Sequence, residues 1–556
     1  MSFRLPQNYI PSHYDLYLHI NDKFPLKASV SITFQKNKDD NKILLNVEST
    51  ISISKITQNA IDLNYTVDYP LLTIERSKVP DIDFNSYPIT IEYTVLPSDH
   101  FEQGFFLLNG SYLTDFEPNY ARKFLPCFDE PSVRSTFSVK LLFPSNMTAL
   151  SNMPAETVQS RGDETEITFQ KTPPMCTYLL CTCVGTFSSI VGTTDNGLKV
   201  KFFTTTGRET DLKPSLDAAI YAVNWLETKF GVKFELPELQ LISLEGFPSG
   251  MENYGLITLR DCTDSLNQRF NTFLIFHEIV HQWFGNLVSL EYWNSLWLNE
   301  GFAEFIQYLI MKDYKPKYDI FVLFAQNEGT RSFDYVDDEN EIAPLDENVI
   351  LQSLFNANIY AKGSFVVKML YDLVGESLFY KICSDYLKKF KNRSAVVEDF
   401  ISIASSLCEK DMNPFFEPWL RFPGLPILNV TEIECNSQKV GIEINQISRN
   451  ECLYLFKVPI LYEKDGVISK KVVEIDSSEV QVDIEFDWVI VNDDLASICL
   501  VLYSKKLLEA LEKPNNEKKI SSLNKYVIST SAHSKIASFL VDIELMDIIN
   551  SLTEEY

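Results

Sequence analysis

His277-Glu278-Ile279-Val280-His281, and Glu300 set after eighteen intervening residues within Trp297-Leu298-Asn299-Glu300-Gly301-Phe302-Ala303, decide how this chain folds and where its chemistry lies. On a helix, positions i and i+4 stand about 40° apart, so both imidazoles can reach one metal ion. Glu278 is turned roughly 100° from His277, beside the metal and off it, where a carboxylate suits a general base for an attacking water. Glu300 supplies a third ligand from a second helix. Two His and one Glu leave one tetrahedral position open, as a catalytic zinc site requires. A His pair at this spacing can also simply line a helix face. The chain has only six His in 556 residues, however, and chance does not add a Glu at a ligand's offset. One Zn2+ per chain is expected.

Outward from that stretch the hydrophobic period changes. Leu212 to Phe230 carries apolar residues at helical spacing and stops at Gly231. Residues 265–315 and 353–412 also read as helical, and Pro423-Gly424-Leu425-Pro426 ends that pattern. Before 197 the chain reads as strands, as in Tyr14-Asp15-Leu16-Tyr17-Leu18 and Thr165-Glu166-Ile167-Thr168-Phe169. After 427 the alternation returns, for example in Gln481-Val482-Asp483-Ile484-Glu485-Phe486, and the last fifty residues read as helical again. Strands such as Leu239 to Leu244 precede the helices of the central part. The fold class predicted is multidomain α+β. The domains expected are an N-terminal β-sheet domain (1–197), an α/β catalytic domain (198–426), a small β-sandwich (427–506) and a short helical tail (507–556).

A chain of this length needs more than one core. Its net charge of −27 disfavours binding to nucleic-acid backbones or anionic membranes. Residues 1–20 hold no apolar signal segment, and no run of eighteen apolar residues occurs, so neither secretion nor a membrane span is expected. The ten Cys read as free thiols in a reducing compartment, hence a cytoplasmic protein. Cys181-Thr182-Cys183 lies in a strand-like apolar stretch and reads as buried core.

Further motifs accompany the metal stretch: Gly250-Met251-Glu252-Asn253; Phe116-Glu117-Pro118; Ala121-Arg122; Pro126-Cys127-Phe128-Asp129-Glu130-Pro131; and Tyr360-Ala361-Lys362-Gly363. Together, and in this order, they resemble the gluzincin aminopeptidases, the aminopeptidase N and puromycin-sensitive aminopeptidase family, with leukotriene hydrolase a more distant relative. The resemblance runs from Arg4-Leu5-Pro6 and Pro11-Ser12-His13-Tyr14 to about residue 510. It implies a thermolysin-like catalytic domain acting on peptides with a free N-terminus. His277, His281 and Glu300 would bind zinc and Glu278 would be the base. Glu252, assisted by Glu117, would grip the α-amine. The backbone of Gly250 and Met251, within the motif that Asn253 completes, would hold the peptide extended. Tyr360 would donate to the oxyanion. Asp129-Glu130-Pro131 and Arg122 look structural, and Glu304, one turn after Glu300, would stand behind the ligand.

Departures from the family's pattern touch the pocket for the first side chain: Ser249 stands where the motif's first Gly is usual, and Asp115 where Gln is common. Tyr292 and Ser295 replace a common Trp and Asp on the approach to Glu300. The tail is short compared with the helical domain many relatives carry, which implies a more open site or cover from a partner. A monomer is expected. Three other readings compete. Pro423-Gly424-Leu425-Pro426 is similar to the leukotriene branch and suggests an epoxide hydrolase, although a β domain follows it. A non-catalytic scaffold on the same fold would be expected to lose ligands that this chain keeps. An endopeptidase would cut amine-blocked peptides, which an aminopeptidase would not.

Overall fold

A computed structural model describes residues 4–38, 40–75, 87–333, 341–345, 351, 355–435, 439–448 and 452–511, together with 513, 521 and 524. The architecture is mixed α+β, with a β-rich N-terminal part and helices concentrated after residue 213. The chain divides into two compact units. One is built mainly from Met1–Trp293 with Ser384–Val396, the other from Asn294–Glu347, Gln352–Cys383 and Val397–Tyr556. No helix among the described residues is long and apolar enough to cross a membrane.

In the first unit, Tyr9–His19 alternates inward Tyr14, Leu16 and Leu18 with more exposed neighbours, the period of a strand with one wet face. It lies inside an eight-stranded sheet, parallel to Thr136–Pro144 and antiparallel to Leu26–Lys36. A four-stranded sheet contains Ser111–Asp115, whose end delivers Asp115 and Glu117. A five-stranded sheet follows, ordered Phe187–Thr193, Lys199–Thr205, Glu238–Leu244, Leu256–Arg260, Gly250–Met251. Its first two strands form a hairpin around residue 197.

Lys199–Thr205, Glu238–Leu244 and Leu256–Arg260 run parallel. The helix Lys213–Phe230 is the crossover between the first two, as parallel strands require. That helix begins with a Pro in its first turn and ends where Gly231 adopts φ 61°, the left-handed C-cap that glycine makes without strain. Every residue of Glu238–Leu244 is buried, as expected for a strand covered on both faces.

The stretches 265–315 and 353–412 are largely helical, as expected, but each is interrupted by a short strand. Gln268–His281 and Trp297–Tyr314 are helices, but Val288–Leu290 between them is a strand. It pairs in parallel with Arg393–Ala395, which interrupts the second run. The alternation from Gln481 to Phe486 also overstates its strand, which ends at Val482. Cys181 and Cys183 are fully buried, their thiols 3.8 Å apart. The nine cysteines whose side chains are described form no disulfide.

In the second unit every residue from Trp297 to Met311 is buried, so this helix is core all round. It packs on Ala357–Val374, whose first turn is capped by Asn356 accepting from the Asn358 and Ile359 amides. The two helices meet at glycines. A Cβ on Gly301 would lie 2.9 Å from the Gly363 carbonyl carbon, so Gly301 must stay bare for this approach. Beyond Pro423 come a four-stranded sheet (Glu479–Val482, Lys439–Ile447, Ile427–Cys435, Leu500–Tyr503) and a three-stranded one (Val467–Ile475, Phe456–Lys464, Trp488–Val491). Lys505–Leu511 is helical. The rest of the expected tail, apart from 513, 521 and 524, lies outside the described residues.

Candidate metal centre and amine site

The helix Gln268–His281 places its two histidines one turn apart. Their Nε2 atoms are 3.0 Å from each other, with ring centroids at 4.7 Å. His281 is 1 % exposed, and its Nδ1 lies 3.1 Å from the Phe284 carbonyl. A carbonyl can only accept, so Nδ1 carries the proton and Nε2 presents a lone pair. Two nitrogens on one tetrahedral zinc at ~2.0–2.1 Å stand about 3.3 Å apart. The pair is therefore close to the spacing a metal needs. His277, His281 and Glu300 each offer one ligand atom, and these lie within 4.8 Å of one another. A His-His-Glu set of this kind could hold a metal ion, and its two nitrogens and one carboxylate oxygen are donors that suit zinc.

Glu278 is buried beside them. Its carboxylate lies over Gly250: a Cβ there would stand 2.3 Å from Oε1 and 2.6 Å from Cδ of Glu278. The bare backbone at Gly250 is thus a steric requirement of the carboxylate's position. Gly250–Met251 pairs with Leu256–Arg260 and forms the edge of its sheet. Its outer side offers main-chain groups to which an extended peptide can add. Ser249 belongs to the same hairpin, its carbonyl accepting from the Arg260 amide at 2.7 Å.

Glu252, next along the strand's exit, is 3 % exposed. Glu252, Glu278 and His281 offer atoms all within 4.8 Å of one another, and so do Glu117 and Glu252. Asn253 is wholly buried and turned inward, donating to Thr258 Oγ1 at 3.5 Å while its carbonyl takes the Leu256 amide. Asp115 is also buried. Burial pushes its carboxyl well above the ordinary range, and the charges of Glu102, Glu252 and Glu278 push it further, against a hydrogen bond from the Glu117 backbone. Converging carboxylates of this kind create a negative field that favours a bound cation.

Tyr360 stands half-buried in the first turn of Ala357–Val374. The Gly301–Gly363 contact presses its helix onto the one that bears Glu300. Glu304 is buried and accepts from Gln307 at 2.7 Å. Arg122 is an internal ion-pair partner, with Nε 2.9 Å from Asp129. Glu130 takes the Leu5 amide at 2.6 Å, and Arg4 stacks over Tyr292 at 5.1 Å. Sequence reasoning passed over Gln282 and Asn286, which follow the motif immediately. Both donate to the Glu252 carbonyl, at 2.9 and 2.7 Å. A polar pair next to a metal motif was the available signal.

Two family models match the chain: the peptidase M1 N-terminal domain over residues 10–179 and the peptidase family M1 domain over residues 215–419. Aminopeptidase M1-C of Oryza sativa subsp. japonica is 30% identical across 76% of this chain and 50% of its own length. Puromycin-sensitive aminopeptidase of Caenorhabditis elegans is 30% identical across 79% of this chain and 49% of its own. Aminopeptidase 2 of Candida albicans is 28% identical across 99% and 63%. The chain spans about half to just under two thirds of the length of these relatives.

Proposed function

Because the chain belongs to peptidase family M1, we propose that it is a zinc aminopeptidase, releasing the first residue of peptides with a free N-terminus. The observation that carries this reading is the convergence of Glu252, Glu278 and His281 within 4.8 Å. An amine-binding carboxylate, a base and a metal ligand then share one small volume. His277, His281 and Glu300 would hold the zinc, which supplies Lewis acidity that activates water and polarises a peptide carbonyl.

Glu252 and Glu117 would bind the ammonium by charge-assisted hydrogen bonds, about twice as strong as neutral ones. Fixing the charged end sets the register, so only the first peptide bond reaches Glu278. The free edge of Gly250–Met251 would keep the substrate extended, with Asn253 shaping the hairpin that presents that edge. Glu278 would take a proton from the attacking water and return it to the leaving nitrogen. The Tyr360 hydroxyl would donate to the carbonyl oxygen as it becomes tetrahedral.

In this reading residues 1–197 are the β domain, 198–426 a thermolysin-like catalytic domain, 427–506 a β-sandwich and 507–556 a helical tail. The unbridged thiols support a reducing, cytoplasmic setting. A monomer would suffice, since one chain supplies every proposed group. A panel of aminoacyl fluorogenic substrates, with and without chelator, tests the function. Chelator-sensitive release from free-amine substrates is expected. Equal turnover of N-acetylated peptides would overturn it.

A further inference from the structure

We infer that Gln282 and Asn286 are positioning residues that register the amine-binding carboxylate of Glu252 to the histidine-bearing helix; this rests on the proposed role of Glu252. One main-chain oxygen, that of Glu252, accepts from both side-chain amides, Gln282 Nε2 at 2.9 Å and Asn286 Nδ2 at 2.7 Å. A carbonyl has two lone pairs, and both are used. Gln282, Asn286 and Glu252 are 1 %, 0 % and 3 % exposed, so water cannot stand in for either amide.

Each residue is itself fixed, Gln282 through its side-chain amide and Asn286 through its backbone. Gln282 Oε1 accepts from the Gly255 amide at 3.0 Å, and its Nε2 also reaches the Glu278 carbonyl at 3.3 Å. Its side chain thus ties both ends of the Glu252–Gly255 turn to the residue after His281. The Asn286 backbone is held too, its N–H donating to the His281 carbonyl at 3.1 Å. Arg134 Nη2 donates to the Asn286 carbonyl at 2.9 Å and to that of Pro174 at 2.8 Å. Arg134 thus braces Asn286 from the far side. The hairpin bearing Glu252 is a separate element from the helix bearing His277, Glu278 and His281. These two amides are what set the distance between amine grip and base. A misplacement of about 1 Å in such geometry costs ~100-fold.

The test compares two hydroxamates that differ only in the α-amine: leucine hydroxamate and 4-methylpentanohydroxamate. Calorimetry on the zinc-loaded protein gives a Kd for each. Wild type should prefer the amino compound, and Gln282→Met and Asn286→Leu should cut that preference at least tenfold while the des-amino Kd stays within about threefold. A preference equal to wild type in folded, zinc-loaded variants would overturn the inference and leave the amides a purely structural role. Wild type showing no preference at all would instead overturn the role of Glu252 itself. If either variant fails to fold, Arg134→Lys carries the same test. It loses the guanidinium fork that spans Asn286 and Pro174, and a preference reduced about threefold is expected. An unchanged one refutes the bracing.

Discussion

Replacing Gly250 by alanine should disable the base without touching the metal. The added methyl would begin 2.3 Å from Glu278 Oε1, 2.6 Å from Cδ and 2.8 Å from Cγ. Ordinary van der Waals contact begins near 3.4 Å, so the carboxylate must retreat by about 1 Å. A shift of that size costs ~100-fold in a positioned reaction, within the ~10²–10⁴ that a general base contributes. At 1.36 kcal/mol per decade this is about 2.7 kcal/mol of barrier. Steady-state kinetics on an aminoacyl-coumarin should show kcat down about 100-fold, with KM changed less than about threefold. Zinc content by plasma mass spectrometry should remain one per chain. Combined with Glu278→Ala, the substitution should add nothing further, since both act through one carboxylate. Wild-type kcat in folded, zinc-loaded Gly250→Ala would refute the reasoning, and so would fully additive losses in the double variant.

Glu278→Ala alone should abolish turnover, a loss of ~10²–10⁴ or more, and keep the zinc. Wild-type kcat in the metal-loaded variant would remove Glu278 from the chemistry. Gly301→Ala forces the Gly363 backbone away from a methyl 2.9 Å distant and should destabilise by ~1–3 kcal/mol as overpacking does, read in a urea melt. Glu328 is pushed up to about 8 by burial and then by Glu304 beside it, against an ordinary 4.5, with Arg331 opposing. Unfolding therefore releases its proton between about 4.5 and 8, and stability falls as pH rises through that window. Glu328→Gln should flatten the decline of Tm between pH 5 and 8; an unchanged slope would contradict it.

Local signals made much of this fold legible. Lys213–Phe230 was readable because its apolar spacing ends at Gly231, the residue that turns left-handed. The inner alternation of Tyr9–His19 was readable for the same kind of reason. What escaped was short or distant. Val288–Leu290 and Arg393–Ala395 are three residues each, too brief for a period. They become strands only by pairing across a hundred residues of chain. Past Val482 the alternation persists in the sequence, but the pairing with Lys439–Ile447 stops at that residue.

The site divides in the same way. The helical spacing of His277 and His281 follows from local geometry. That Glu252 comes within reach of Glu278 depends on a parallel sheet, an edge hairpin and two amides, none of which the intervening spacing reveals. The glycines of the motifs gain their reasons only in three dimensions: Gly250 makes room for Glu278, and Gly301 meets Gly363.

The most direct test of the account is the mass spectrum of a peptide pair, one with a free N-terminus and one acetylated, incubated with protein stripped of metal and then given one equivalent of zinc. Stepwise loss of N-terminal residues from the free peptide is expected only after zinc is returned, with the acetylated peptide left intact. Cleavage without zinc, or an internal cut in the acetylated peptide, would contradict it.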